Sequence, residues 1–596
     1  MNQGVDMSDR NKRFAESSRP QIALITNHGY AGVEIPIGGA PDTGGQNVYV
    51  NQLAMALDDL GYRVTIFARG GFPFFDSDRI REGTEFLTDN VRYVYVPGGG
   101  DEFIRKEDIA VALDEQLDWL YEFIEGEARR QGCRGWELFE VVNTHYWDAA
   151  VLGVRLVERW KNDVAFDFMK DLLDGVVDSD TLERVGRDRH WMALGEAPAY
   201  HLGRLLLDAE GSPATPLLQR ARTIATKWVE VRHCSDETVV DRLVGAVAYA
   251  LSEVRDRLAP ALHALAAAEA LGTAVLELDP ERAELLDAQL SDTDRHVWTP
   301  HSLGALKEDN FRDKHAEVKR KLKFCERRNH ERSVCERTQA FAATSTEIAE
   351  RLLTHYRVDT ERIFYFPPCV DRKVFRPRPP EQTEDALRYL AKVSGIDPER
   401  LREYKIVFET SRMDQSKRKD VLLDAFTFVA RERDDVLLFI GGGPRNKLFE
   451  KLERLLEGKP ELAGRAFLTG FIPEEFIGPL FSLADIYVTA SEMEGFGMSV
   501  LQAAASGTAV VCSDLVPFVV QYVPEEAVIV PAGEVFDFAR AIIDLLENPE
   551  DREQRARRLM EKTEQFDWRV QAGSFLDYLR QCGWSIAAGK VEGDDR

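Results

Sequence analysis

Twice along this chain, short apolar runs alternate with segments of helical period, and that alternation restricts the fold more than any other feature. Gln21 to Thr26 is a short apolar run, and Val64 to Ala68 and Val91 to Val96 read as the next strands. Between the first two, Val48 to Leu60 carries Leu53, Ala56, Leu57 and Leu60 at helical spacing, and Gly61 follows as a cap. The rhythm returns at Ile406 to Glu409, Val436 to Ile440, Ala466 to Thr469, Ile486 to Thr489 and Ala509 to Cys512. Strands separated by helices imply parallel sheets, and two such sets imply two doubly wound α/β domains. The length of 596 residues agrees, being too great for one core. Pro367 to Pro380 reads as the linker between the domains.

From about 154 to 295 the strand signal thins. Asp180 to Leu207, Thr238 to Leu258 and Pro260 to Leu271 have helical period, so this block reads as an all-helical insertion in the first domain. Ala261 to Ala270 is rich in Ala and Leu, which suits close helix packing. An oligomer or partner surface ranks slightly above a lid over the cleft, and simple packing on the outside of the domain is the plain alternative. The expected division is a loose polar tail at 1–20, a first domain at 21–375, a second at 381–570, and at 571–596 a last helix that returns to the first domain and a tail, loose from Gly589 on.

The composition narrows the partners. Lys and Arg number 76 against 102 Asp and Glu, a formal net charge of −26. That argues against nucleic acid and anionic membrane, and it requires any phosphate site to be a local basic pocket. Cys133, Cys234, Cys325, Cys335, Cys369, Cys512 and Cys582 form no CxxC pair, as expected of reduced thiols in a cytoplasmic protein. No apolar run is long enough to span a membrane, and no metal-ligand spacing appears.

Three segments carry candidate chemistry. Gly38-Gly39-Ala40-Pro41-Asp42-Thr43-Gly44-Gly45-Gln46 lies between a strand and a helix, where backbone amides approach an anion. On its own the loop is equally a tight turn. Arg412 and Lys417 follow the Ile406 strand on one loop, and two such cations can clamp a diphosphate. A solvated basic loop is the plain alternative, since Arg418 and Lys419 extend the run. Glu494-Gly495-Phe496-Gly497-Met498 places an acidic residue beside a tight turn at a helix start, which suits a nucleotide sugar. Other turns, such as Gly441-Gly442-Gly443, are less specific.

These segments, taken together and in order, resemble the family 4 retaining glycosyltransferases, which have the two-domain GT-B fold. The likeness is greatest to their sucrose-phosphate synthase and sucrose synthase group. Pro41 to Val50 resembles the first loop of that group. Phe103-Ile104-Arg105-Lys106-Glu107-Asp108, Thr144-His145-Tyr146-Trp147-Asp148-Ala149 and Thr299-Pro300-His301-Ser302-Leu303-Gly304 with Lys307 follow in the family order. So does Pro367-Pro368-Cys369-Val370-Asp371, with Cys369 where the family has glycine.

The resemblance implies transfer of a hexosyl group, glucosyl first among them, from a UDP-, ADP- or GDP-hexose to a small sugar, sugar phosphate or polyol. It implies Glu494, Arg412, Lys417 and His145 at the reacting centre. It places Gly44, Gly45, Gly495, Phe496, Gly497, Met498 and Gln502 around the donor, and Gln46, Arg105, Lys106, Lys307 and Arg328 around the acceptor. No metal and no cofactor beyond the nucleotide-sugar co-substrate are implied. Gln502 departs from the glutamate of the family's E-x7-E motif, exchanging a charge-assisted bond to a ribose for a neutral one, a loss of roughly 1 kcal/mol. Asn143 and the stretch from Ser513 to Pro517 depart as well. These departures leave a second reading open, a catalytically weakened protein that binds nucleotide sugar as a scaffold or regulator. A GT-B sugar-nucleotide epimerase is a third.

Overall fold

The computed structural model describes residues 7–36, 40–173, 291–309, 321–443 and 445–591. Most of the helical block expected at 154–295 lies outside these residues, as do Gly38 and Gly39. The first sheet holds β1 (Gln21–Thr26), β2 (Arg63–Arg69), β3 (Thr84–Phe86), β4 (Val91–Val96), β5 (Val141–His145), β6 (His296–Thr299), β7 (Ala340–Ala343) and β8 (Ile363–Tyr365). Their spatial order is β3-β4-β2-β1-β5-β6-β7-β8, all parallel except β3, which runs antiparallel to β4. The second sheet holds β9 (Lys405–Thr410), β10 (Val436–Gly441), β11 (Ala466–Gly470), β12 (Ile486–Thr489), β13 (Ala509–Ser513) and β14 (Val528–Val530). It is parallel throughout, in the order β11-β10-β9-β12-β13-β14.

Both sheets reverse direction of strand order once the central strand is passed. In the first the switch lies between β1 and β5, and in the second between β9 and β12. Crevices open outside the carboxyl ends of strands at such points, and ligands bind there in open α/β sheets.

Helices cover both faces. α1 (Met7–Glu16) lies at the start of the chain, and α2 (Gly45–Asp59) follows the first loop. Then come α3 (Leu113–Gln131), α4 (Tyr146–Leu173) and α5 (Phe324–Arg337). α6 (Lys419–Glu432), α7 (Met498–Ala505) and α8 (Trp568–Gln581) belong to the second half of the chain. Residues 7–16, expected to be a loose tail, are helical instead. Phe14 is buried edge-on to Phe86, and the guanidiniums of Arg63 and Arg92 lie over its ring. Arg63 also donates to Phe14 O at 2.8 Å, and Arg10 pairs with Asp89 at 2.9 Å, so ring, guanidinium and ion-pair contacts together dock a mostly polar helix.

α4 runs on past residue 154, with Val154, Leu156, Val157 and Trp160 buried in the first domain. The boundary read at 154 therefore falls inside a helix of that domain.

The chain crosses between domains twice, side by side. Val370 donates to Phe566 O at 2.8 Å, and Trp568 donates to Val370 O at 3.4 Å. α8 then packs on α2, with Trp568 edge-on to Tyr49 and Phe575, Leu576 and Leu579 buried in the first domain's core. The end of the chain continues over that domain: Lys590 N donates to Gly61 O at 2.9 Å, so residue 590 is fixed rather than loose. Among the described residues no helix is long and apolar enough to cross a membrane.

Candidate active site

In the second domain two loops converge at the β9/β12 switch. The loop after β9 exposes Arg412, then makes one tight turn, Gln415–Lys417, capped by Asp414 accepting from Ser416 N at 2.9 Å. The loop after β12 carries Ser491 to Gly497. Glu492 N donates to Ser416 O at 2.7 Å, which joins the two loops backbone to backbone. Lys417 ends up 4% exposed, with Nζ 2.6 Å from Glu494 Oε1 and donating to Met493 O at 3.1 Å. The two side chains that the sequence singled out separately therefore form one ion pair.

The turn that follows Glu494 is set by packing. Gly497 has φ 106°, and a Cβ there would meet Val516 Cγ1 at 2.5 Å, so both backbone and neighbour demand glycine. Phe496 is buried against Phe518, Tyr522 and Phe566. Its ring is committed to the core, and only its backbone can serve a ligand. Gly495 is exposed in open space. Met498 and Gln502 lie one turn apart on α7 and share a half-buried face.

In the first domain the site is built at the carboxyl ends of β1, β5 and β6. His145 closes β5 with no exposed surface. Its Nδ1 shares a hydrogen bond with His301 Nε2 at 3.0 Å, and its Nε2 has no partner among the described residues. Burial pushes His145 down to about 3, so the ring is neutral at ordinary pH. His28 Nδ1 lies 3.2 Å from both carboxylate oxygens of Asp148.

Tyr146, next in the chain, takes φ 78°, a left-handed conformation that costs a non-glycine residue of order 1–3 kcal/mol. The cost is met by its contacts. Its ring lies 4.2 Å from that of His28, and its hydroxyl accepts from Arg327 Nη1 at 2.6 Å and Lys307 Nζ at 3.1 Å.

Tyr146, Lys307 and Arg327 line a pocket of about 300 Å3 with Lys106, Glu107, Trp147, Lys323, Phe324 and Glu326. The lining brings four cations and two carboxylates together, and Asp42, Asp108 and Glu331 pair with Lys106, Lys323 and Arg327 from beside it. Lys106 is paired with Asp42 of the first loop, and Asp42 also accepts from Lys106 N at 3.1 Å. Burial works against both charges, but the mutual bond outweighs it, lowering the Asp42 carboxyl and raising the Lys106 ammonium. Arg327 is fixed by Glu331, which accepts from its Nε at 2.7 Å and from Gly304 N at 2.9 Å.

The other expected residues fall as follows. Gln46 donates to Thr26 Oγ1 at 3.3 Å at the end of β1. Gly44 N donates to Asn47 Oδ1 at 3.0 Å, so that amide is already taken, whereas Gly45 is exposed. Arg105 is exposed beside the pocket. Arg328 turns instead toward Glu308, at 3.1 Å, and its neighbour Arg327 enters the pocket in its place. Sequence reasoning missed Arg327 and Tyr146. The signal for Arg327 was its i,i+4 relation to Glu331, which fixes the inward face of α5. Among the described residues no group of three or more His, Cys, Asp or Glu side chains is disposed to hold a metal ion.

Residues 397–562, the body of the second domain, match the family described as glycosyl transferases group 1. The second domain is a glycosyl transferases group 1 domain. Over 501 residues the chain is 24% identical to the mannosylfructose-phosphate synthase of Agrobacterium fabrum, covering 82% of this chain and 75% of that protein. It is 26% identical over 289 residues to the D-inositol 3-phosphate glycosyltransferase of Rhodococcus jostii, covering 48% of this chain and 60% of that one. Among solved structures, sucrose-phosphate synthase from Thermosynechococcus elongatus superposes with a TM-score of 0.51 at 18% identity, over 95% of this chain and 99% of that chain. A glycosyltransferase from Rickettsia africae gives 0.50 at 11% identity, over 96% and 100%. The chain thus has the GT-B fold, two Rossmann-like domains in series, and its glycosyl transferases group 1 domain carries Arg412, Lys417, Glu494 and Gln502.

Proposed function

We propose that this protein transfers a hexosyl group, with retention, from a nucleoside diphosphate hexose to a small phosphorylated sugar or polyol. The observation that carries the reading is the meeting of Lys417 and Glu494 at the switch point of the second sheet, 2.6 Å apart, with exposed Arg412 on the same loop. A diphosphate leaving group gains charge as the glycosidic bond breaks, and preorganised cations at that place lower the barrier. Lys417 and Arg412 supply them. Glu494, released in part from Lys417 as the diphosphate arrives, orients hydroxyls of the donor sugar. Met498 and Gln502 on α7 border the nucleoside, and backbone amides of the Gly495–Gly497 turn add donors. His145 is neutral and its Nε2 has no partner among the described residues, but that atom is enclosed, so the ring supports the end of β5 from behind the surface that a sugar would meet.

The pocket of the first domain, where four cationic side chains gather, supports a phosphorylated acceptor. Lys307 and Arg327 converge on Tyr146, and Lys106 stands opposite with Asp42. Both curated relatives carry a phosphorylated sugar or cyclitol in their names. Gln502 favours a second reading, a protein that binds nucleotide sugar without turnover. Incubation with UDP-, ADP- and GDP-glucose against fructose, fructose 6-phosphate, glycerol and inositol phosphate separates the two. Nucleotide release that depends on one phosphorylated acceptor is the expected result. Thermal stabilisation by a nucleotide with no release in any pairing would favour the binding protein.

A further inference from the structure

One charged pair lies behind the donor loops, and the proposed chemistry does not use it. Lys419, the first residue of α6, and Glu409, near the end of β9, both have side chains with no exposed surface. Lys419 Nζ is paired with Glu409 Oε2, and it donates to Gly441 O at 2.8 Å and to Ser411 O at 3.3 Å. The Ser411 hydroxyl donates to the other Glu409 oxygen. An ammonium has three hydrogens, and here each has an acceptor.

Those acceptors sit at three places: the end of β9, the first residue after it, and the end of β10. One side chain therefore ties both strand ends to the start of α6. Between its attachment points, Ser411 and Lys419, the chain runs through Arg412 and Lys417. The strand ends approach so closely that a Cβ on Gly442 would overlap Ser411 O. The loop closes onto α6 through Arg418, held at φ 46° and paired with Glu492.

Stability does not account for this arrangement. Taking two ions out of water costs several kcal/mol each, and an apolar pair of similar volume usually serves a core as well or better. What an apolar pair lacks is the directional bonds to Ser411 O and Gly441 O. We propose that Lys419 and Glu409 are positioning residues, which hold the Arg412–Lys417 loop in the geometry that receives the donor diphosphate. The inference rests on the reading of these loops as the donor site. A loop already ordered loses less freedom when the ligand binds, so affinity is where the pair shows itself.

The test uses the full chain and free nucleotides. UDP, ADP and GDP are titrated calorimetrically into the unaltered protein, and the tightest binder is then titrated into Lys419→Met and into the double variant Lys419→Met/Glu409→Met. The single variant leaves Glu409 buried and unpaired, so its Tm falls. The double variant removes both charges, and its Tm returns to within a few degrees of the original. Its Kd nonetheless stays about tenfold weaker, because the two backbone carbonyls have lost their shared donor. A double variant that binds with unaltered Kd would overturn the inference and make the pair mere packing. Absence of binding by the unaltered protein to all three nucleotides would instead remove the donor-site reading itself, and the positioning role with it.

Discussion

At the scale of single residues, Lys417 and Glu494 are the pair on which the proposed donor site depends. Each comes from a different loop, and each is the other's counter-ion in the structure. Lys417→Ala is expected to lower kcat by about 10²- to 10³-fold, the usual effect of removing one donor aimed at developing charge. Tm should fall by only a few degrees, since Glu494 keeps some contact with solvent. Steady-state kinetics beside a melting curve checks both, and unchanged turnover would remove Lys417 from the mechanism. The tandem Arg327 and Arg328 show how fine the residue scale is. The sequence suggests Arg328, yet the phase of α5 turns Arg327 toward Tyr146 and Arg328 toward Glu308. One helical position is 100° of rotation, and a motif match alone does not settle which arginine enters the pocket.

At the scale of elements, the turn between β12 and α7 carries the most specific expectation. Gly497→Ala must adopt φ 106° and displace Val516, so a loss of about 2 kcal/mol or more is expected, read as a lower Tm. Gly495→Ala, in open space two residues earlier, should leave Tm unchanged. Equal losses at both positions would contradict the packing described here. Elements of this kind differ in how openly the sequence announces them. β10 and β13 are buried on both faces and read as nearly continuous apolar runs, while β2 and β4 are equally buried but carry Thr65 and Arg92 within them. α1 is polar apart from Met7, Phe14 and Ala15, and its docking depends on Phe86, Arg63 and Arg92, which lie far along the chain. Nothing local marks it. The extent of α4 is hidden for another reason: Val154, Leu156, Val157 and Trp160 have the same helical period as the block that follows, so periodicity shows no seam. The candidate site was legible where chemistry concentrates in short loops, at Arg412, Lys417 and Glu494. It was hidden where a residue's role depends on tertiary neighbours, as with Tyr146, His301 and the Gly44 amide.

At the scale of the molecule, the two crossings and α8 bind the domains into one unit, while the buried His145 and His296 and the half-buried His301 tie its stability to pH. His145 and His296 are each pushed down to about 3 by burial, and His301 is lowered by burial and by the histidines near it. The unfolded chain takes up these protons near pH 6.5, whereas the folded protein does so only far below. Stability is therefore fully present above about pH 6.5 and is lost as the pH falls, by up to about 1.4 kcal/mol per pH unit for each histidine. Melting curves from pH 7.5 to 5 should show Tm falling steadily below pH 6.5, and a flat Tm over that range would contradict the burial of these rings. The central claim joins both halves of the molecule: a donor held by Lys417, Arg412 and Glu494, and a phosphorylated acceptor held by Lys307 and Arg327. NMR of the product formed from an NDP-hexose and a sugar phosphate tests it most directly. The expected product is a phosphorylated glycoside whose anomeric configuration matches the donor, formed much faster than from the unphosphorylated acceptor and lost in Lys307→Ala. An inverted anomer, free hexose as the sole product, or no preference for the phosphorylated acceptor would contradict it.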